Sequence, residues 1–567
     1  MPNRNILDAL ATVRDLISYH ETARTPLCIV TLDFQKAFDK IAHDYLFKIL
    51  ECYGIGTWFI DRIRALYDDM SALVQINGEL VGPIKIQSGV RQGCPLSMCL
   101  YAMCVQPLIR LLEVTLPGLR IGKTLTQTPV VAYADDITIF VKDPAGFTAI
   151  QEALHLYERA SGASLNQQKS SVMSVAGWSV SPSPLNIPCH DRVVVLGITF
   201  HPTTTRSRDD NWSRIIQAVR GHARQSFPRT LCLQQRIQYV TLCMLAKIWF
   251  LAQIFLMRNT HAQQLTSLCQ WFIWQAAIFK VPMTTLQRST AAGGWGLPNI
   301  EVKCRMLLYN RLRITAAKKE STLAKIFQTW GLWQLTHNPP PMTERLRKVD
   351  YLQNFILDTA YMTLHAPPGS SELKKHTYST LLTLAKNNTP DSEMRIVRKH
   401  PTIAWKQVWT NLHMTGLTPP VKSMWYMAIH DILPTNDRLA SIHLAPDSKC
   451  PRCSSEDSVK HRIVACEDGP RQWAWTRQKL AFILRTEPKH IPTEWVTTPD
   501  MTLWPPQRCK AVIWILAHFV YYRLQTNRRL SLQDYSDFMK RARWKKQNNE
   551  PRPTTGRYLE VLDWNFP

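Results

Sequence analysis

Acidic residues are the scarce class in this chain. Only 43 Asp and Glu stand against 68 Lys and Arg over 567 residues, a net charge of +25 with a pI near 9.6. So large a shortage of negative charge favours a polyanionic partner, nucleic acid first, over a merely solvated basic surface. Met1-Pro2-Asn3-Arg4-Asn5 has none of the features of a secretory leader. There is no internal repeat and no long low-complexity tract, so a length of this order reads as two to four packed domains. Long apolar runs are also lacking. Tyr239 to Met257 is the longest, and it is broken by Lys247 and Gln253. A lysine at mid-bilayer costs about 2.5–3.5 kcal/mol, so a buried helix and no membrane is the better reading. Val512 to Leu524 is too short to span a bilayer. The 14 cysteines mostly sit singly among apolar residues, as at Cys28, Cys104, Cys243 and Cys304. They read as reduced thiols of an intracellular protein, not as a disulfide framework.

What is present centres on two short stretches. Val130 to Phe140 is β-branched and aromatic on both sides of Asp135-Asp136, which reads as two strands joined by a tight turn carrying adjacent carboxylates. An Asp-Asp turn in solvent is ordinary. Between buried strands, however, uncompensated carboxylates cost several kcal/mol, and hard oxygen donors suit magnesium. Leu27 to Leu32 reads as a central strand ending in Asp33. One carboxylate at a strand tip meeting two on a hairpin is what a pair of metal ions roughly 3.5–4 Å apart requires.

Five strings then occur in order: Asp33 with Phe38; Ser88-Gly89-Val90-Arg91-Gln92-Gly93-Cys94-Pro95-Leu96-Ser97; Tyr133-Ala134-Asp135-Asp136; Leu165-Asn166-Gln167-Gln168-Lys169-Ser170; and Leu196-Gly197-Ile198-Thr199-Phe200. Together they resemble the palm motifs of the reverse transcriptases of non-LTR retrotransposons, over about the first third of the chain. The resemblance implies an α+β fold: a polymerase right-hand palm, an antiparallel sheet with helices, then a helical thumb and a mostly helical C-terminal region containing a small zinc knuckle. The boundaries it implies are a remnant of the fingers at 1–24, palm at 25–204, thumb and post-thumb at 205–318, a helical linker region at 319–402, a zinc-knuckle domain at 403–500, and a basic helix and tail at 501–567.

The resemblance also implies roles. Asp33, Asp135 and Asp136 would ligate two Mg2+ ions. Phe34, Phe38, Gln92, Gly93 and Lys169 would meet the incoming nucleotide, with Phe38 packing under the sugar to exclude a 2′-hydroxyl. Lys169 could act beside the pyrophosphate as an acid or as a point charge. Leu196 and Gly197 would grip the primer end. From the residues alone, Arg91 is a phosphate contact or a solvated cation. The segment Asn211-Trp212 to Arg224 is helical, with Ile215, Ile216 and Val219 inward and Arg214, Arg220 and Arg224 outward. That suits a thumb tracking phosphates, and equally a plain surface helix. Gln234 to Met257 and Ala262 to Phe279 continue as helix, ending at Gly293-Gly294-Trp295-Gly296-Leu297-Pro298.

Farther on, Pro339-Pro340-Pro341 and Pro367-Pro368-Gly369-Ser370-Ser371 punctuate a polar linker. Cys450, Cys453, His461 and Cys466 follow at C-x2-C-x7-H-x4-C, a donor set able to close a tetrahedron around one structural Zn2+ and similar to the knuckle that follows the polymerase in these elements. His430 and His443 fall off that spacing. The cluster Lys540-Arg541-Ala542-Arg543-Trp544-Lys545-Lys546 binds a nucleic-acid backbone and stacks on a base, serves as a nuclear-import signal, or is a solvated tail.

The expectation is an RNA-directed DNA polymerase lacking its complete fingers, with an RNA template, a DNA primer or target and dNTPs as partners. Its expected place is inside the cell, in the nucleus with a cytoplasmic ribonucleoprotein stage. Two other readings stand beside it: a truncated copy that only binds nucleic acid, and a metal-dependent nuclease using the same carboxylates.

Overall fold

The computed structural model describes residues 5–317 and 394–549, apart from short gaps at 122–123, 127–128, 179–184, 227–229, 276, 414–415, 501–505 and 526–530. The linker prolines and the tail after 549 lie outside the described residues. Two compact units are present. The first holds the described residues of Met1–Ile216, Trp249–His261 and Cys304–Leu381, and the second those of Gln217–Ile248, Ala262–Lys303 and Leu382–Pro567. Residues 205–318, read as one thumb, therefore contribute to both.

In the first unit, α1 (Ile6–Ala23) is started by Asn5, whose side chain accepts the Leu7 amide at 2.9 Å. Its apolar face packs against strands β6 and β8 of the main sheet. β1 (Leu27–Leu32) is apolar on both faces because both are covered, and Leu27 to Val30 are fully buried. Then come α2 (His43–Cys52), α3 (Thr57–Tyr67), and β2 (Ser71–Ile76) with β3 (Glu79–Lys85). These two strands turn at Asn77-Gly78, both left-handed, the pair a two-residue hairpin favours. α4 (Ser97–Thr115) is the one described helix long and apolar enough to cross a membrane. Its apolarity has another use here: Leu100, Tyr101, Cys104, Leu108 and Leu112 fill the core of this unit.

The short strands β4 (Leu119–Ile121) and β5 (Thr124–Thr126) precede β6 (Val130–Tyr133) and β7 (Asp136–Val141). Next are α5 (Ala145–Ser161), β8 (Ser171–Val175), β9 (Val193–Val195), β10 (Ile198–Phe200) and α6 (Thr204–Gln225). The main sheet has the order β6-β7-β1-β8, antiparallel throughout, with β1 bonded to β7 on one side and β8 on the other. A buried ion pair, Arg14 with Asp15 at 2.8 Å, is completed by Arg14 donating to the Ile254 carbonyl.

The second unit is helical. The long helix expected from Gln234 to Met257 is broken instead. An α-helix, Leu233–Tyr239, passes into a π-helical turn at Val240–Met244 and a 3-10 turn at Leu245–Ile248, and the 3-10 turn at Leu251–Gln253 already belongs to the first unit. Thr241 turns its hydroxyl back onto the Ile237 carbonyl at 2.9 Å, the kind of local bond that competes with the regular ladder.

Candidate active site and metal centre

The register between β1 and β7 pairs Leu32 with Ile137, and one step further sets Asp33 opposite Asp136. The β6–β7 hairpin pairs Tyr133 with Asp136 around a turn in which Ala134 is left-handed, so Asp135 occupies the turn and Asp136 opens β7. The sheet thus delivers all three carboxylates to one end. Asp33 is anchored from the loop that follows α5. Its amide donates to Ser170 Oγ at 3.0 Å and its carbonyl accepts the Asn166 amide at 2.7 Å. Lys169 is exposed in that same loop.

Although solvent reaches Asp136, the protein around it, then the negative Asp135 and Asp33, hold its carboxyl above the ordinary range. The Tyr101 hydroxyl is raised too, by burial first, with Asp135 and Asp33 adding to it. Among the described residues no Lys or Arg is paired with any of the three aspartates. Crowded carboxylates without a protein cation fit a divalent ion of the hard, oxygen-seeking kind.

The glycine-rich loop is stapled to the segment after Phe38. The Val90 amide donates to the Phe38 carbonyl at 2.6 Å, the Gly89 amide to Ile41 at 2.7 Å, and Ser88 Oγ to the Asp39 carbonyl at 2.9 Å. Gly89 is left-handed, and a Cβ there would come within 2.5 Å of the Asp39 backbone, so no other residue fits. Gln92 Nε2 donates to Asp39 Oδ1 at 3.0 Å. Arg91 and Gly93 are exposed on the same loop.

In the second unit Cys450, Cys453, His461 and Cys466 bring their ligand atoms within 4.8 Å of one another, the only such grouping of His, Cys, Asp or Glu among the described residues. The sulfurs of Cys450 and Cys466 are 3.7 Å apart and those of Cys453 and Cys466 3.9 Å; His461 Nε2 lies 3.1 Å from Cys453 Sγ. A tetrahedron with Zn–S bonds near 2.3 Å has S–S edges of about 3.8 Å, which the two separations to Cys466 match, while His461 stands closer to Cys453 than a shared zinc would set it. Burial lowers the pKa of His461, which keeps the imidazole in its ligating form. Burial pushes the Cys466 thiol up to about 12, while the Ser455 backbone lowers that of Cys453.

The frame behind these ligands is not local. Arg523, on the helix Pro506–Gln525, is 1 % exposed and donates to the carbonyls of Ile463 at 2.9 Å, Arg462 at 3.2 Å and Cys466 at 2.7 Å, and to Gln472 Oε1 at 3.1 Å. Gly469 leaves room for it, since a Cβ there would be 3.0 Å from its Nη2. Asp457, fully buried, takes Arg462 in two bonds of 2.8 and 2.6 Å and accepts the Asn436 amide.

Comparison with known proteins bears on both sites. Residues 1–200 match the family model described as reverse transcriptase (RNA-dependent DNA polymerase). Over those residues the chain is similar to a reverse transcriptase domain. Residues 392–473 match the model described as zinc-binding in reverse transcriptase. The transposon TX1 uncharacterized 149 kDa protein of Xenopus laevis is 36% identical over 30% of this chain and 13% of its own length. The Pol polyprotein of the type-2 retrotransposable element R2DM of Drosophila melanogaster is 23% identical over 53% of this chain and 29% of its own. A solved structure of apo telomerase from Candida tropicalis aligns at 16% identity and TM-score 0.24, over 34% of this chain and 38% of that one. The chain thus spans less than a third of the length of these two curated relatives.

Some expected residues are placed otherwise. Phe34 is buried at 5 % exposure, edge-on to Tyr157 at 5.5 Å, because β1 ends by turning that side chain into the core; it is a packing residue and does not face a nucleotide. Arg214 is not a free cation. It donates to the Gly197 carbonyl, Thr199 Oγ1 and Asn211 Oδ1 at 2.9, 3.0 and 2.9 Å, and so braces the Leu196-Gly197 turn, both of whose residues are left-handed. Arg220 and Arg224 are exposed on the same helix. Lys545 and Lys546 lie on the helix Leu532–Asn549, with side chains outside the described residues. Sequence reasoning missed Tyr101, Asp39, Ser170 and Arg523. Tyr101 and Arg523 sit among apolar residues of helices, and nothing in such a run marks a side chain that reaches a site.

Proposed function

We propose that this chain extends a DNA primer on an RNA template, as part of a non-LTR retrotransposon protein. The observation that carries the reading is the register that brings Asp33 opposite Asp136, beside the turn holding Asp135, with no Lys or Arg among the described residues paired with them. Asp33, Asp135 and Asp136 would hold two magnesium ions, which when bound lower the pKa of an attacking 3′-hydroxyl and neutralise charge on the leaving phosphates.

The remaining chemistry belongs to the chain itself. Phe38, half-buried beside the Asp33 segment, meets the sugar, and Gln92 and Gly93 on the stapled loop meet the base and template. Lys169, exposed on the loop that anchors Asp33, is a point charge for the pyrophosphate side. Leu196-Gly197, braced by Arg214, meets the primer end. Arg91, Arg220 and Arg224 supply phosphate contacts, as do Lys545 and Lys546. The Cys/His cluster holds one zinc as a structural ion for a module that binds RNA or target DNA. The chain works in the nucleus after a cytoplasmic ribonucleoprotein stage.

The test is primer extension on an RNA template with magnesium and dNTPs, wild type against Asp135→Ala. Extension by the wild type alone supports the reading. Equal background from both leaves a chain that binds nucleic acid without polymerising.

A further inference from the structure

We propose that Tyr101 is a positioning residue for sugar selection: its ring, lying beneath Phe38, fixes the surface that Phe38 offers to the nucleotide. The inference rests on the polymerase reading above and names a residue that reading does not use.

Three observations converge. First, the rings of Phe38 and Tyr101 are stacked, with centroids 4.4 Å apart and planes inclined by 28°. Tyr101 is 1 % exposed and locked in the core of α4, whereas Phe38 is half-buried at its edge. A half-buried ring therefore rests on a fully buried one. Second, the backbone beneath Phe38 has little freedom left. Its carbonyl accepts Val90, and the next residue is held by Ser88 and Gln92 and pressed against Gly89. With the backbone fixed, side-chain rotation is the main remaining freedom of Phe38, and the Tyr101 ring limits it. Third, Tyr101 lies within electrostatic reach of Asp33 and Asp135.

The physical need is plain. A ribonucleotide differs from a deoxyribonucleotide by one hydroxyl, and a pocket rejects one extra small group only as far as its wall stays in place. A ring free to swing would yield to that hydroxyl. The ring of Tyr101, not its hydroxyl, is what the stack uses.

The test measures the ratio of kcat/KM for a dNTP to that for the matching NTP, using the full chain with magnesium on an RNA template. Tyr101→Leu is expected to lower the ratio by about tenfold or more, with Tyr101→Phe within about twofold of wild type. Tyr101→Met, which refills the volume without a ring, is the second variant and should also lose selectivity. In the Phe38→Ala background, Tyr101→Leu should lower the ratio no further, because the platform then has nothing to support. A merely structural role would change dNTP turnover and the thermal midpoint while leaving the ratio alone. If wild type extends with dNTPs but Tyr101→Leu and Tyr101→Met keep its ratio, the platform is overturned while the polymerase stands. If wild type does not extend at all, the polymerase reading falls first.

Discussion

The two candidate metal sites are built in opposite ways. The aspartates come from positions about a hundred residues apart, meet only because β1 lies beside β7, and leave one carboxyl with a raised pKa. The Cys/His ligands come from a span of 17 residues, Cys450 to Cys466, and the two sulfur separations to Cys466 already match the edge of a zinc tetrahedron. A sheet can carry charges to one end without closing them on each other. Short turns close donors on each other directly. With ions bound, the first arrangement would leave coordination room for substrate oxygens and the second would leave none.

The sharpest break in this comparison is Asp135→Ala. It should reduce primer extension by about a thousandfold or more while leaving the fold intact, because the turn tolerates Ala and one crowded charge is relieved. Extension assays beside a thermal melt check both halves. At the other site Cys466→Ser should do the reverse. Zinc content measured by metal analysis should fall from near one equivalent to none, and stability should drop by several kcal/mol, since metal binding and local folding are coupled there.

A smaller effect sharpens what frames the zinc ligands. Arg523→Met keeps the volume but leaves the carbonyls of Ile463, Arg462 and Cys466 without their donor. A loss of about 3 kcal/mol is expected from denaturant melts. Zinc affinity should fall by about tenfold or more in competition with a chelator. If affinity is unchanged, the ligands hold themselves.

The mildest test is pH. Burial holds His430 down to about 3, and His413 down to about 4 with Lys422 adding repulsion. Among the described residues their ring atoms Nε2 are buried without hydrogen-bond partners, around Trp409, Tyr426 and Trp295. A base with a depressed folded pKa takes up protons more readily when unfolded. Stability of the second unit should therefore be full above about pH 6.5 and fall as the pH drops below it. Melts from pH 7.5 to 5 should show this slope, and His430→Phe should flatten it.

Much of this could be read from residues in a row. Strand β1, the Asp135-Asp136 hairpin, the Asn77-Gly78 turn and the zinc spacing each carry their signal within a few residues, as a continuous apolar run, turn chemistry or ligand interval. Errors came where a residue's environment is set from far away. Phe34 looks like a site residue and faces the core, and Arg214 looks like a free cation and braces a turn. The break after Tyr239 is hidden in an apolar run that reads as one helix.

The sequence by itself determined which chemistry was available: three carboxylates, a glycine-rich loop and four zinc donors, since residue type and short spacing need no fold to be recognised. Only the tertiary structure decided what supports them. Antiparallel register sets Asp33 opposite Asp136, Tyr101 lies under Phe38, and Arg523 reaches the carbonyls behind the zinc ligands. Contacts across tens or hundreds of residues depend on packing and register, which no local pattern encodes.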